Sequence, residues 1–120
     1  MRKLPTVVAI AAVTSGVAAA TAFAHTGLTS TYPGKGKTAS KRIGWVSATF
    51  SGTIRSGTIK VTGPGNRTVS SGSGQRDPRS VKRIRVKLKS GLKAGSYKAA
   101  WTMKAPDGHT QRGTFSFRLR

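Results

Sequence analysis

The sequence predicts an all-β fold, a small antiparallel β-sandwich. Three observations carry this. Apolar residues recur at every second position in several short runs, the period of a half-buried strand. Gly, Pro, Ser and Asn cluster between those runs, where turns need them. From residue 25 onward no stretch shows the 3.6-residue period of a helix. Several short strands at close spacing in about 100 residues are the pattern of a sandwich, with apolar faces inside and Lys and Arg positions toward water.

The elements follow in order. Met1-Arg2-Lys3 is a short basic start, Leu4 to Ala20 is apolar and rich in Val and Ala, and Ala22-Phe23-Ala24 has the small-x-small pattern of a cleavage site. Residues 1–24 are therefore expected to be a cleaved export signal. Pro5, Thr6, Thr14, Ser15 and Gly16 interrupt the run, which makes it short for a stable membrane span. Cleavage leaves one domain, residues 25–120, with no room for a second.

Ser30 to Arg42 reads as a Gly/Lys/Thr/Ser-rich loop around Pro33-Gly34-Lys35-Gly36. Val46, Ala48 and Phe50 alternate with small and polar residues. Ile59 and Val61 precede the turn Gly63-Pro64-Gly65-Asn66. Ser70 to Ser80 is rich in Ser, Gly and Arg and reads as a long mobile loop, with Asp77 a turn residue before Pro78. Ile84, Val86 and Leu88 alternate with Arg85, Lys87 and Lys89, the clearest period-two run of the chain. Tyr97, Ala99, Trp101 and Met103 form another. Phe115, Phe117 and Leu119 form the last, with Ser116, Arg118 and Arg120 outward. Trp45, Tyr97, Trp101, Phe115 and Phe117 are read as core before they are read as walls of a site. Met103, at an inward position, is read as packing.

Composition narrows the chemistry. There are no cysteines, so thiolate nucleophiles, Cys-ligated zinc and blue-copper sites are excluded. The domain must hold together through its core. The chain carries 22 Lys+Arg against 2 Asp+Glu, a net charge of +20, and loss of Arg2 and Lys3 with the signal leaves +18. Such a chain is drawn to polyanions: anionic lipids or acidic envelope polymers. Nucleic acid is the less favoured target, because an export signal takes the chain out of the cytoplasm. The basic residues are spread along the strands, which fits a folded domain with a cationic face.

Only two histidines occur, His25 and His109. Cleavage after Ala24 makes His25 the first residue, and a histidine there offers a metal both its α-amine and its ring. His109 lies in Asp107-Gly108-His109. Residues i and i+2 of an extended segment point to one side about 6.5–7 Å apart, so Asp107 and His109 can converge on one ion, and Gly108 carries no side chain to block a third ligand. Amine and imidazole nitrogens with one carboxylate suit a tetragonal copper(II) site. Three of the chain's four His, Asp and Glu residues fall in this one set. The plainer readings are that Asp107, between Pro106 and Gly108, builds a turn, and that a histidine near a strand end is merely solvated.

From Ile59 to Leu119 the chain resembles the CopC copper-resistance family. The matching pieces are Val61-Thr62-Gly63-Pro64, Leu92-Lys93-Ala94-Gly95-Ser96-Tyr97, Trp101, Asp107-Gly108-His109, Gly113 and Phe115-Ser116-Phe117. His25, Leu28 and Pro33 after a Ser/Thr run extend the resemblance to the start. It implies an exported Greek-key sandwich of cupredoxin- or immunoglobulin-like type. It also implies one copper(II) held by the N-terminal histidine, an Asp and a second His, roles that map onto His25, Asp107 and His109. A membrane partner of the CopD type, giving or receiving the copper, is implied too. Some members carry a second, copper(I) site rich in Met and His; with Met103 the only methionine after the signal, that site is expected to be absent. Ser40 to Ile54 lacks the family's Pro-rich start of the second strand, and the high positive charge is atypical.

The expected function is therefore an exported copper(II)-binding protein for trafficking, storage or resistance, acting without turnover. The alternative is a cationic, polyanion-binding module of the cell envelope with no metal role. A third reading is a histidine-brace copper enzyme attacking polysaccharides. The small domain and the carboxylate beside the copper set disfavour it.

Overall fold

The computed structural model describes residues 26–120. The expected signal and His25 lie outside the described residues. Eight strands are present: β1 (Leu28–Tyr32), β2 (Thr38–Ala39), β3 (Trp45–Phe50), β4 (Ser56–Thr62), β5 (Ser70–Arg76), β6 (Arg83–Leu88), β7 (Gly95–Lys104) and β8 (Thr110–Leu119). They form two four-stranded sheets, β1-β3-β6-β5 and β2-β8-β7-β4. The chain changes sheet at every connection except the β5–β6 and β7–β8 hairpins, as in a Greek-key sandwich. All pairs are antiparallel save one: β2 runs parallel to the end of β8. Among the described residues no helix is long and apolar enough to cross a membrane.

The period-two runs fold as their spacing requires. In β3, β4, β6, β7 and β8 the alternate apolar residues all turn inward, and Val46, Phe50, Ile59, Val61, Ile84 and Met103 are at most 1% exposed. Trp101 meets Phe50 edge-on at 5.1 Å between ring centroids. Tyr97 stacks on Phe117 at 5.8 Å, and its hydroxyl donates to the Lys93 carbonyl at 2.6 Å, so its one polar atom is satisfied at the edge of the core. Gly113 lies opposite Trp101 across β7 and β8. A Cβ there would stand 2.5 Å from the indole, so glycine makes the room that the tryptophan fills. Trp45 departs from the core expectation. It is 41% exposed, and the Arg85 guanidinium lies 4.1 Å over its ring, a cation–π contact on the outer face.

Two expected loops hold strands instead. Ser30–Arg42 contains the end of β1 and all of β2. Both are edge strands held by backbone hydrogen bonds, so they need no alternating apolar signal. Ser70–Ser80 contains β5, paired with β6. Its serines and glycines hide it. Ser70 is buried and its hydroxyl accepts from the Val61 amide at 3.0 Å, a polar side chain doing the work of an apolar one. Gly74 has φ +78, and a Cβ there would stand 2.8 Å from the Arg85 carbonyl oxygen. That close approach needs glycine, and it marks the irregularity between Ser71 and Gln75. Asp77 does build the expected turn, accepting from the Arg79 amide at 2.8 Å. It is also 5% exposed and paired with Arg83 at 3.3 Å and Arg85 at 3.8 Å.

Candidate metal centre

The β7–β8 hairpin is the longest in the fold, in register from Gly95 opposite Leu119 to Lys104 opposite Thr110. Five residues, 105–109, join the strands. Pro106 follows the first turn residue, where its fixed φ suits a type I turn. The Gly108 amide returns to the Ala105 carbonyl at 2.9 Å, and Gly108 takes φ +94, which favours glycine. The Ala105 amide then donates to the His109 carbonyl at 2.8 Å, closing the loop.

Inside it Asp107 and His109 meet directly. The Asp107 carboxylate accepts from the His109 amide through Oδ1 at 3.0 Å, and its Oδ2 lies 2.8 Å from His109 Nδ1. Both side chains are about two-thirds exposed. The His109 amide and, next, its ring hold the Asp107 carboxyl below the usual carboxylate range. An ionised carboxylate only accepts, so the proton between the two groups belongs to Nδ1. The plain turn reading and the chemical one are both realised: Asp107 builds the turn and orients the imidazole.

The start of the described chain arrives at the same hairpin. The Gln111 side-chain amide, two residues beyond His109, donates to the Thr26 carbonyl at 3.1 Å. Gly27 exchanges two bonds with Ser51: its amide donates to the hydroxyl at 3.0 Å, and its carbonyl accepts from the Ser51 amide at 2.8 Å. Of the three expected metal ligands, the structure brings Asp107 and His109 together, and His25 lies outside the described residues. Among the described residues no group of three or more His, Cys, Asp or Glu side chains gathers. Met103, 0% exposed, is core, as expected.

A family model described as the CopC domain matches residues 28–120. The chain belongs to the CopC family. Among curated relatives of this CopC-family chain, Protein YobA of Escherichia coli K12 is 27% identical over 114 residues, covering 93% of this chain and 92% of its own. Among solved structures, CopC from Methylosinus trichosporium OB3b superposes with a TM-score of 0.64 at 19% identity, over 79% of this chain and 93% of that one. PcoC, a methionine-rich copper resistance protein from Escherichia coli, gives 0.66 at 20% identity, over 81% and 100%. These structures share the fold.

Sequence reasoning missed Gln111 and Ser51, which fasten the chain start, because neither is a metal-ligand type. A signal for Gln111 was available: it is a polar residue at an inward-facing, half-buried position of β8.

Proposed function

We propose that this CopC-family protein carries one copper(II) ion per chain, held at a centre formed by His25, Asp107 and His109, and serves copper trafficking, storage or resistance outside the cytoplasm. Copper is its cargo. The observation that carries the reading is the Gln111–Thr26 bond: it fastens the residue next to His25 onto the strand that begins just after His109. Family membership and the copper-resistance names of the superposable structures support the metal.

The chemistry follows from the donors. With Nδ1 of His109 turned to Asp107, the imidazole would offer copper Nε2, and the carboxylate would raise the basicity of that nitrogen. Asp107 would act on the ion through the ring it orients, and it brings negative charge to a chain that is otherwise strongly cationic. His25, once it is the first residue, would chelate through its amine and ring. The mechanism is capture and release, without turnover, because one small domain with its ligands filled leaves little to position a substrate. A CopD-type membrane protein is the expected donor or acceptor.

The test compares the chain beginning at His25 with the same chain N-acetylated, each titrated with copper(II) under native mass spectrometry and electron paramagnetic resonance. The expected result is one copper per chain, several nitrogen ligands in the spectrum, and sharply weaker binding after acetylation. Equal binding by both chains would overturn the amine's role. Mass spectrometry of the protein exported by its own cells reads the first residue directly.

A further inference from the structure

The outer face of the β2-β8-β7-β4 sheet has a regular charge pattern that copper binding does not use. Strands β4, β7 and β8 alternate between inward residues, buried or half-buried, and outward ones. Reading outward positions across the register gives five successive rungs along the strands. Each rung carries one cation: Arg118, Lys98, Lys60, Arg112 and Lys104 in order. Every other outward position on these three strands is Ser, Thr or Ala. No carboxylate side chain lies on the face, because the chain's two acidic residues are elsewhere. Asp77 is committed to Arg83 and Arg85 of the opposite sheet. Asp107 sits in the loop beyond the last rung.

We infer that this face is a track for a linear phosphodiester polymer whose phosphates are joined by short polyol units. Successive rungs are two residues apart, about 6.8 Å, so the five cations span about 27 Å. Two residues of extended peptide contain six backbone bonds. One repeat of phosphorus, oxygen, three carbons and oxygen also contains six bonds, so an extended chain of such repeats sets one negative charge against each rung. The five cations lie within three neighbouring strands about 4.8 Å apart, a band their long side chains can bridge. A phosphate has two unesterified oxygens, and the face offers it a Lys or Arg beside a hydroxyl at every rung but the middle one, where Ala100 stands between Lys60 and Thr114.

The same features discriminate against other polyanions. A single-stranded nucleic acid has a six-bond backbone too, but its binders supply aromatic platforms for the bases. The exposed large apolar residues, Leu28, Tyr32, Trp45 and Val81, are absent from β4, β7 and β8. A lipid surface would be gripped by apolar side chains that insert, and this face has none larger than Ala100. The track ends at Lys104, one residue before the loop of Asp107 and His109, so a polymer lying along it leaves the loop at its end.

The experiment compares two variants that each lose four charges. One carries Lys60→Gln, Lys98→Gln, Arg112→Gln and Arg118→Gln. The other carries Lys41→Gln, Lys82→Gln, Lys89→Gln and Lys93→Gln, exposed positions outside the face. Binding of fluorescent poly(glycerol phosphate) is read by anisotropy between 50 and 200 mM salt. The face variant is expected to bind at least about tenfold more weakly than the control variant. Its slope of log K against log salt should be shallower than wild type by about three, from about 0.7 per lost contact on a single strand. Equal losses in the two variants would mean that net charge alone governs binding, and would overturn the track. Tighter wild-type binding to polygalacturonate, single-stranded DNA or phosphatidylglycerol vesicles than to the polyol phosphate would overturn the choice of polymer. Circular dichroism checks folding. If the fourfold face variant fails to fold, the pairs Lys60→Gln/Lys98→Gln and Arg112→Gln/Arg118→Gln are each expected to show about half the change in slope.

Discussion

Asp107→Asn changes one atom of the hairpin loop and removes the carboxylate's charge together with its hold on the ring. In the wild type Oδ1 takes the His109 amide proton at 3.0 Å and Oδ2 faces Nδ1 at 2.8 Å. An asparagine can satisfy only one of these. If its oxygen stays on the amide, its NH2 group faces Nδ1, so Nδ1 must accept and the ring proton moves to Nε2, where copper would bind. If the amide flips, the oxygen restores the bond to Nδ1 but two N–H groups oppose each other at the backbone. Either way the imidazole loses its carboxylate, and the tautomer that leaves Nε2 free survives only at the cost of the opposed N–H groups at the backbone. Removing such an orienting partner typically costs 10–100-fold in metal affinity. The loop is exposed, so the unfolding midpoint of the metal-free protein should move by no more than about 2 °C. The assay is competition against a copper(II)-chelating dye at pH 7.5, with thermal unfolding followed in parallel. Wild-type copper affinity in the variant would refute the claim that the Asp107 carboxylate controls the ring. A large drop in midpoint would instead make the residue structural.

Four further outcomes are expected. Gln111→Ala should lower copper affinity roughly two- to tenfold, because it removes one neutral hydrogen bond worth about 0.5–1.5 kcal/mol from the chain start; unchanged affinity would mean that Gly27 and Ser51 suffice. Copper affinity should fall steeply below about pH 6, since protons compete for amine and imidazole nitrogens; a flat profile from pH 5 to 8 would contradict those ligands. Asp77→Asn should cost about 1–2 kcal/mol of stability at pH 7, the exposed side of Arg83 keeping the figure modest. The Arg79 amide foremost, with help from Arg85 and Arg83, lowers the Asp77 carboxyl against some opposition from burial. A lowered acid stabilises the fold above its unfolded value of 3.8 and stops doing so as pH falls through the folded one. The gap between wild type and variant in urea titrations should therefore close below about pH 4. Gly113→Ala should destabilise by about 1–3 kcal/mol through the clash with Trp101, visible as a lower denaturant midpoint.

Where burial is one-sided, the sequence announces the strand. Ile84, Val86 and Leu88 had to face one way and Arg85, Lys87 and Lys89 the other, and β6 does this. Where pairing is carried by the backbone there is no such pattern: β1 and β2 lie at sheet edges, and β5 turns on Ser70 and Gly74. In these strands the informative atoms are amides, a hydroxyl and a missing Cβ, which no hydrophobic pattern registers. At the hairpin loop, Asp107-Gly108-His109 was legible as a unit because its spacing is local. The direct Asp107–His109 bond was not, since an extended segment would have kept the two side chains about 6.5–7 Å apart and the loop is a tight turn. The approach of the chain start to Gln111 joins residues 85 apart in sequence, and only the folded register of β8 brings them together.

That contact has a thermodynamic meaning of its own. A domain without cysteines has no covalent cross-link between its distant parts, and Gln111 to Thr26 spans almost its whole described length. A metal ion gripped from both sides of the contact would act as a removable staple. Closing a loop of 85 residues takes about 4–5 kcal/mol of conformational freedom from the unfolded chain, the amount a disulfide of that reach would take. On the proposed reading, cargo and scaffold are then coupled: the loaded protein is the more durable one, and release of its copper leaves a looser chain for proteases to find.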